Sequence, residues 1–205
     1  MANKPLTILV AGSDSAATRT VEDGLAGTGR DRVAADRIAA DRITVVHGFG
    51  ELPARIAALA PDAVVAALGE PDRATLDGFF RLARAGGCAV VLFADRADPG
   101  VATQAAEAGV AAFVLDGLHP ARVRPILETA LARFAAFETL KRERDEARTQ
   151  LADRKLIERA KGILMQQKSL TEEEAYNALR KAAMKQGRRI ADIAQSVITA
   201  AQIEL

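Results

Sequence analysis

Few aromatic residues and almost no cysteine set the first limits on this chain. Its 205 residues contain no Trp, one Cys and only 4% aromatic residues. The lone Cys88 excludes an intramolecular disulfide framework and a cysteine-based zinc cluster. Since hydrophobic residues still make up 49% of the chain, we expect a packed core built mainly from Ala, Val, Leu and Ile.

Long apolar runs and catalytic motifs are also missing. No run approaches the roughly 18 apolar residues of a membrane-spanning helix, and the N-terminal segment lacks the features of a signal peptide. The two histidines, His47 and His119, are far apart, and the glycines of GLAGTG (24–29) follow a predicted helix rather than a strand. We therefore expect a cytoplasmic protein that is not an enzyme, contacts no membrane and holds no cofactor or metal.

Charge is distributed unevenly along the chain. The formal net charge is +1, but residues 154–205 carry 10 Lys or Arg against 6 Asp or Glu, whereas residues 1–125 carry 13 against 15. The C-terminal surplus indicates an anionic partner for that end, although a solvated helical face explains it equally well.

The first 120 residues alternate short apolar runs with helical segments. The runs predicted as strands are 6–11, 44–46, 63–68, 89–93 and 112–115. The helices predicted between them lie near 16–25, 52–59, 75–85 and 101–108. This alternation predicts a flavodoxin-like (βα)5 domain over residues 1–122.

A five-residue repeat lengthens the first crossover of this domain. It reads DRVAA, DRIAA and DRI over residues 31–43. Its period fits neither a helix nor a strand, so we interpret it as a local duplication in a surface connection. Such insertions cost little free energy because closure entropy grows slowly with loop length.

A long helix is predicted from about residue 120 to residue 167. Within it, Phe137, Leu140, Arg144, Ala147 and Leu151 recur at alternating spacings of three and four, the pattern of a coiled-coil seam. We therefore predict a coiled-coil linker over residues 123–153, used in a parallel homodimer or, alternatively, as a solvated helix.

The last segment, residues 154–205, is predicted to form a compact bundle of three helices. Thr171 and Glu174 fit a capping box, and Gly187 fits the residue that ends a helix. Each helix has an Ala-rich apolar stripe, which predicts close packing around a small core.

The α/β half resembles the receiver domain of bacterial response regulators over residues 5 to about 130. In that family an acidic pair, a phospho-accepting Asp, a Thr or Ser and a Lys follow the first, third, fourth and fifth strands. The matching positions here are Gly12 with Ser13, Ala67, Ala94 and Asp116. Because an alanine methyl group cannot form an aspartyl phosphate, we predict a pseudo-receiver with a degenerate phosphoacceptor pocket.

The segment ERAKGILMQQKSLTEEEAYNALRKAAMKQGRRIADIAQSVI resembles the ANTAR domain, the RNA-binding module of transcription antiterminators. Phrases in the other half, such as PDRATLDGF and VLFADRADP, resemble the NasT-type subgroup, which acts on nitrate and nitrite assimilation operons. The resemblance implies a dimer that binds paired hairpins in leader mRNA and thereby acts indirectly on the RNA polymerase elongation complex. It also implies a nitrate or nitrite sensor protein as the controlling partner. That subgroup typically keeps the third-strand Asp, so Ala67 is a departure.

RNA recognition of this kind needs cationic, amide and aromatic side chains. Tyr176 is either a stacking platform for a base or a half-buried packing residue. The full set of RNA-binding candidates is Arg159, Lys161, Gln166, Lys168, Tyr176, Arg180, Lys181, Lys185, Arg188 and Arg189.

Two other functions remain open at this level. One is a DNA-binding response regulator, which the last predicted helix disfavours because it offers few base-reading side chains. The other is a protein–protein adaptor that binds no nucleic acid.

Overall fold

The computed structural model describes residues 5–12, 15–26, 42–47 and 49–203. Ser13 and most of the five-residue repeat lie outside these residues. By compactness the chain divides into two units, residues 1–137 and 138–205. Among the described residues, no helix has both the length and the apolar character needed to cross a membrane.

Strands and helices alternate through the first unit, as predicted. The strands are β1 (Thr7–Gly12), β2 (Arg42–His47), β3 (Ala63–Leu68), β4 (Ala89–Ala94) and β5 (Ala112–Leu115). The helices that follow the first four strands are α1 (Ser15–Ala26), α2 (Leu52–Leu59), α3 (Arg73–Ala85) and α4 (Val101–Glu107). A single long helix, α5 (Pro120–Lys168), then begins in the first unit and ends in the second.

The five strands form one parallel sheet in the order β2-β1-β3-β4-β5. Helices α2, α3 and α4 cover one face, through core residues such as Leu52, Phe79 and Ala105. Helix α1 and the first turns of α5 cover the other, through Val21 and Leu127 among others. Central strands β3 and β4 are buried on both faces, which explains their continuous apolar sequences. The predicted flavodoxin-like fold is confirmed.

Helix α1 lies so close to α5 that only glycine fits at one position. A Cβ atom on Gly24 would lie 2.5 Å from the carbonyl oxygen of Pro120 and 2.7 Å from Cβ of Val123. Pro120 is the first residue of α5, where the missing amide hydrogen is tolerated. The helix continues through a second proline, Pro125.

The second unit is a small helical module with its own core. The end of α5 packs with α6 (Glu172–Gln186) and α7 (Ile190–Ile203) through Ala160, Leu179 and Ile198, among other residues. The predicted capping box is confirmed, since Thr171 and Glu174 exchange both hydrogen bonds at the start of α6. Gly187 ends α6 in the left-handed conformation, with φ of 61°.

Candidate nucleic-acid interface

Four of the five positions predicted to form a degenerate phosphoacceptor pocket meet at one edge of the sheet. Gly12 is paired with Ala67, and Ala94 lies beside Leu68 on the next strand. The backbone N–H of Asp116 donates to the carbonyl oxygen of Ala94 at 3.0 Å. This grouping follows from the parallel sheet, whose strands all end at the same edge.

The chemistry at that edge differs from that of a phosphorylated receiver. Ala67 and Ala94 are buried side chains without a nucleophilic or hydroxyl oxygen. Within the described ranges, no three His, Cys, Asp or Glu side chains converge as a metal site would require. Ser13 lies outside those ranges. At the position where a receiver has its phospho-accepting carboxylate, this edge therefore has the buried methyl group of Ala67.

The outer surface of α6 carries two rows of exposed side chains. We call Tyr176, Arg180 and Met184 the tyrosine row, because they recur every four residues on one side of the helix. The lysine row, Lys181 and Lys185, lies beside it and is also exposed. Tyr176 is 43% and Met184 74% exposed, so neither fills the module core.

The end of α5 and the α6–α7 connection add further exposed donors. Arg159 and Gln166 lie seven residues apart on one side of α5, and Lys168 is its last residue. Arg188 follows the glycine that ends α6. In the part of the chain that the structure describes, none of these cations, nor Arg180, Lys181 or Lys185, forms an ion pair. Their charge is available to an external anion.

Two of the predicted RNA-binding residues are instead engaged within the module. Lys161 is only 7% exposed, and its Nζ lies 2.6 Å from Oε1 of Glu172 and 3.0 Å from Oε2 of Glu158. Arg189 forms an ion pair with Asp153, linking the start of α7 to α5. Lys161 and Lys168 lie seven residues apart on α5, but only Lys168 of the two is exposed.

The ion cluster changes the protonation of its members. The hydrogen bond from Lys161 lowers the pKa of Glu172 below its ordinary value of 4.5. The same contact, followed by that to Glu158, raises the pKa of Lys161 above 10.5. Both groups are therefore charged at neutral pH. The capping hydrogen bonds from Thr171 likewise lower the pKa of Glu174.

Three exposed polar side chains of α7, those of Gln195, Ser196 and Thr199, bond within their own helix. The Ser196 hydroxyl donates to the carbonyl oxygen of Asp192, and the Thr199 hydroxyl to that of Gln195. Gln195 in turn donates to the Thr199 hydroxyl at 3.3 Å. A recognition helix needs several side chains directed outward at base edges, so α7 is poorly suited to that role.

The carboxylates Glu158, Glu172 and Asp153 were absent from the predicted site, although they determine which cations are free. The spacing of Glu158 and Lys161, three residues apart on a predicted helix, was a readable signal for one of these contacts. The contacts of Glu172 and Asp153 are made across the helix–helix packing and had no local sequence signal.

Comparisons with known proteins agree with this division into two units. The ANTAR domain model matches residues 145–198. The transcriptional regulatory protein PdtaR of Mycobacterium tuberculosis is 27% identical over 152 residues, which are 74% of each chain. A nitrate regulatory protein of Klebsiella oxytoca is 47% identical over 49 residues, which are 24% of this chain but only 12% of that protein.

Solved structures show the same fold in the first unit. A CheY-like receiver domain protein from Methanospirillum hungatei superimposes with a TM-score of 0.51 at 15% identity, over 65% of this chain and 98% of that one. The receiver domain of a diguanylate cyclase from Desulfovibrio desulfuricans gives the same values. The first unit therefore has the fold of a receiver domain. The match to the ANTAR domain model lies within the second unit, residues 138–205.

Proposed function

We propose that this protein binds paired hairpins in leader mRNA through its C-terminal module and so promotes transcription antitermination. One observation carries the proposal: the ANTAR match covers residues 145–198, and the folded surface of that segment carries exposed, unpaired cations beside an exposed tyrosine. The relative PdtaR is by its name a transcriptional regulatory protein, which supports a role in transcription.

The two rows on α6 suit single-stranded loop bases better than a duplex. Unstacked bases are held by stacking on aromatic rings and Arg planes, while cationic side chains neutralise the phosphates. Tyr176 and Arg180 supply stacking surfaces one turn apart, and Lys181 and Lys185 supply the charge beside them. A protein that reads a duplex would instead need a helix whose polar side chains are directed outward, whereas the Ser196 and Thr199 hydroxyls of α7 are bonded to their own backbone.

A homodimer formed through α5 fits a target made of two hairpins. Leu140 is 64% and Leu151 56% exposed in the single chain, on a stretch of α5 that is otherwise rich in charged residues. Pairing two copies along this part of α5 would bury both leucines. The dimer would then have two RNA-binding modules, one for each hairpin.

Control by a partner protein, rather than by phosphorylation, is the second part of the proposal. Ala67 has no oxygen to accept a phosphoryl group, so a small phosphodonor should not label the protein, and clear labelling would contradict this. The similarity to a nitrate regulatory protein supports nitrate or nitrite assimilation genes as the target and a nitrate or nitrite sensor as the partner. In this proposal the protein works in the cytoplasm. It acts on the RNA polymerase elongation complex indirectly, through the leader mRNA.

The proposal is tested by binding at one fixed ionic strength, since phosphate contacts make affinity depend on salt. The probes are a two-hairpin RNA from the leader of a neighbouring operon, the same RNA with its loop sequences replaced, and a duplex DNA of equal length. We expect the first RNA to bind at least about tenfold more tightly than the others, or about 1.4 kcal/mol. Equal affinity for duplex DNA would contradict RNA recognition, and binding to none of them would favour the adaptor function.

A further inference from the structure

Lys161 differs from the other cations of the module in burial and in partners. It is 7% exposed, and the three acceptors around its ammonium group are the two carboxylate oxygens of Glu158, at 3.1 and 3.0 Å, and Oε1 of Glu172 at 2.6 Å. A lysine ammonium has three N–H donors and no acceptor. Its hydrogen-bonding capacity is therefore filled within the protein.

The charge of this cluster also opposes a contact with phosphate. One ammonium group lies between two carboxylates, and the lowered pKa of Glu172 keeps that carboxylate ionised at neutral pH. The cluster therefore has a net negative charge, and an RNA phosphate that approached Lys161 would have to displace one of its carboxylates.

The cluster joins two elements whose relative position determines the exposed surface. Glu158 lies on α5 one turn before Lys161, whereas Glu172 is the first residue of α6. Only residues 169–171 connect these helices, and Ser169 has a positive φ of 50°. Tyr176 and Arg180 follow one and two turns after Glu172 on the same helix. A change at the start of α6 would therefore move the tyrosine row relative to Arg159 and Gln166 on α5.

We propose that Lys161 is a positioning residue: it holds the start of α6 on α5, and so arranges the RNA-binding rows, without touching RNA. The claim that the tyrosine and lysine rows bind RNA rests on the proposed function. The claim that Lys161 positions the start of α6 rests on the ion cluster. In this proposal Arg180 and the lysine row contact the RNA. Lys161 holds α6 in the position that these contacts require.

The test uses the full chain with Lys161→Met, which removes the charge but retains an apolar stem of similar length. We expect several-fold weaker binding of the two-hairpin RNA in this variant, and equally in Glu172→Gln, which leaves the lysine charge in place and removes its partner. The comparison variant Arg180→Gln removes an exposed cation and should reduce the slope of log affinity against log salt by about 0.7. Unchanged affinity in Lys161→Met would show that the ion cluster does not affect binding, and unchanged or tighter binding in Glu172→Gln would show that Lys161 acts through its own charge; either result would overturn the proposal.

A matched control separates positioning from general loss of stability. Ile198→Val trims a buried residue of the same core on α7, away from the α5–α6 connection, and lowers the melting temperature of the module. It should leave RNA affinity unchanged at a temperature where all variants are folded. If Ile198→Val weakens binding as much as Lys161→Met does, the effect of Lys161 is stability alone and the proposal fails.

A second readout does not depend on RNA, so failure of the proposed function can be distinguished from failure of this inference. Amide hydrogen exchange should accelerate at residues 169–176 in Lys161→Met and in Glu172→Gln, but not in Ile198→Val. Unchanged exchange there would overturn the positioning role, even if the wild-type protein binds RNA. Accelerated exchange would support it, even if the wild-type protein binds none.

Discussion

Replacing the lysine row should reduce the salt dependence of RNA binding by a predictable amount. Lys181 and Lys185 are exposed on adjacent turns of α6, and among the described residues neither has a carboxylate partner. Each phosphate contact to a single strand contributes about 0.7 to the slope of log affinity against log salt. The variant Lys181→Gln with Lys185→Gln should therefore have a slope smaller by about 1.4.

The same slope gives the size of the expected effect. Between 50 and 200 mM salt, the wild-type protein should lose about sevenfold more affinity than this variant. The assay is fluorescence anisotropy of the labelled two-hairpin RNA over a series of salt concentrations.

A control pair carries the same change in net charge elsewhere. Lys141→Gln with Arg142→Gln removes two cations of α5 that are already paired, Lys141 with Glu138 at 3.6 Å and Arg142 with Glu146 at 3.9 Å. The slope should stay at the wild-type value in this variant. Equal slope reductions in the two variants would show that net charge, rather than contact, determines the salt dependence and would refute the reasoning. A wild-type slope in the lysine-row variant would show that these lysines touch no phosphate.

Three further predictions concern the stability of the fold, each measured by thermal or chemical unfolding. Gly24→Ala should destabilise the first unit by about 1–3 kcal/mol, because the new Cβ would overlap the carbonyl oxygen of Pro120; an unchanged unfolding midpoint would contradict this packing. Gly162→Ala should stabilise the module by up to about 1 kcal/mol, because alanine has the higher helix propensity and no atom lies within 4 Å of the new Cβ. A loss of stability would contradict the open space around Gly162. The difference in melting temperature between wild type and Glu172→Gln should be largest near neutral pH. It should shrink as the pH falls below 4.5, since the lowered pKa of Glu172 means that its contribution is present above that value and is lost as the carboxylate protonates; a constant difference down to pH 3 would argue against the contact with Lys161.

Local patterns were sufficient to predict most elements of this protein. The bounds of β3 and β5 were predicted to the residue, because each is an uninterrupted apolar run that ends at turn residues. The capping box of Thr171 and Glu174 was equally readable, because all its atoms lie within one turn. These features depend on residues that are close together in the sequence, so they can be predicted without knowledge of any tertiary contact.

The candidate site was only partly predictable for the opposite reason. The sequence identified ten basic, amide and aromatic candidates, but it could not separate exposed cations from engaged ones. Unlike Lys181 and Lys185, Lys161 and Arg189 have carboxylate partners that helix packing brings to them, from 11 residues away for Glu172 and 36 for Asp153. These pairings depend on how α6 and α7 pack against α5, which no local pattern specifies.

By itself, the sequence determined the type and order of the elements, the ANTAR-like module and the loss of the phosphoacceptor, because these depend on local periodicity and on side-chain identity. Only the tertiary structure decided where those residues meet. The parallel sheet brings Gly12, Ala67, Ala94 and Asp116 to one edge. The packing of α5 with α6 buries Lys161 among carboxylates and leaves the tyrosine and lysine rows exposed. Burial and ion pairing are properties of residues distant in sequence, so a cation's availability to RNA is decided by the fold and not by its place in the chain.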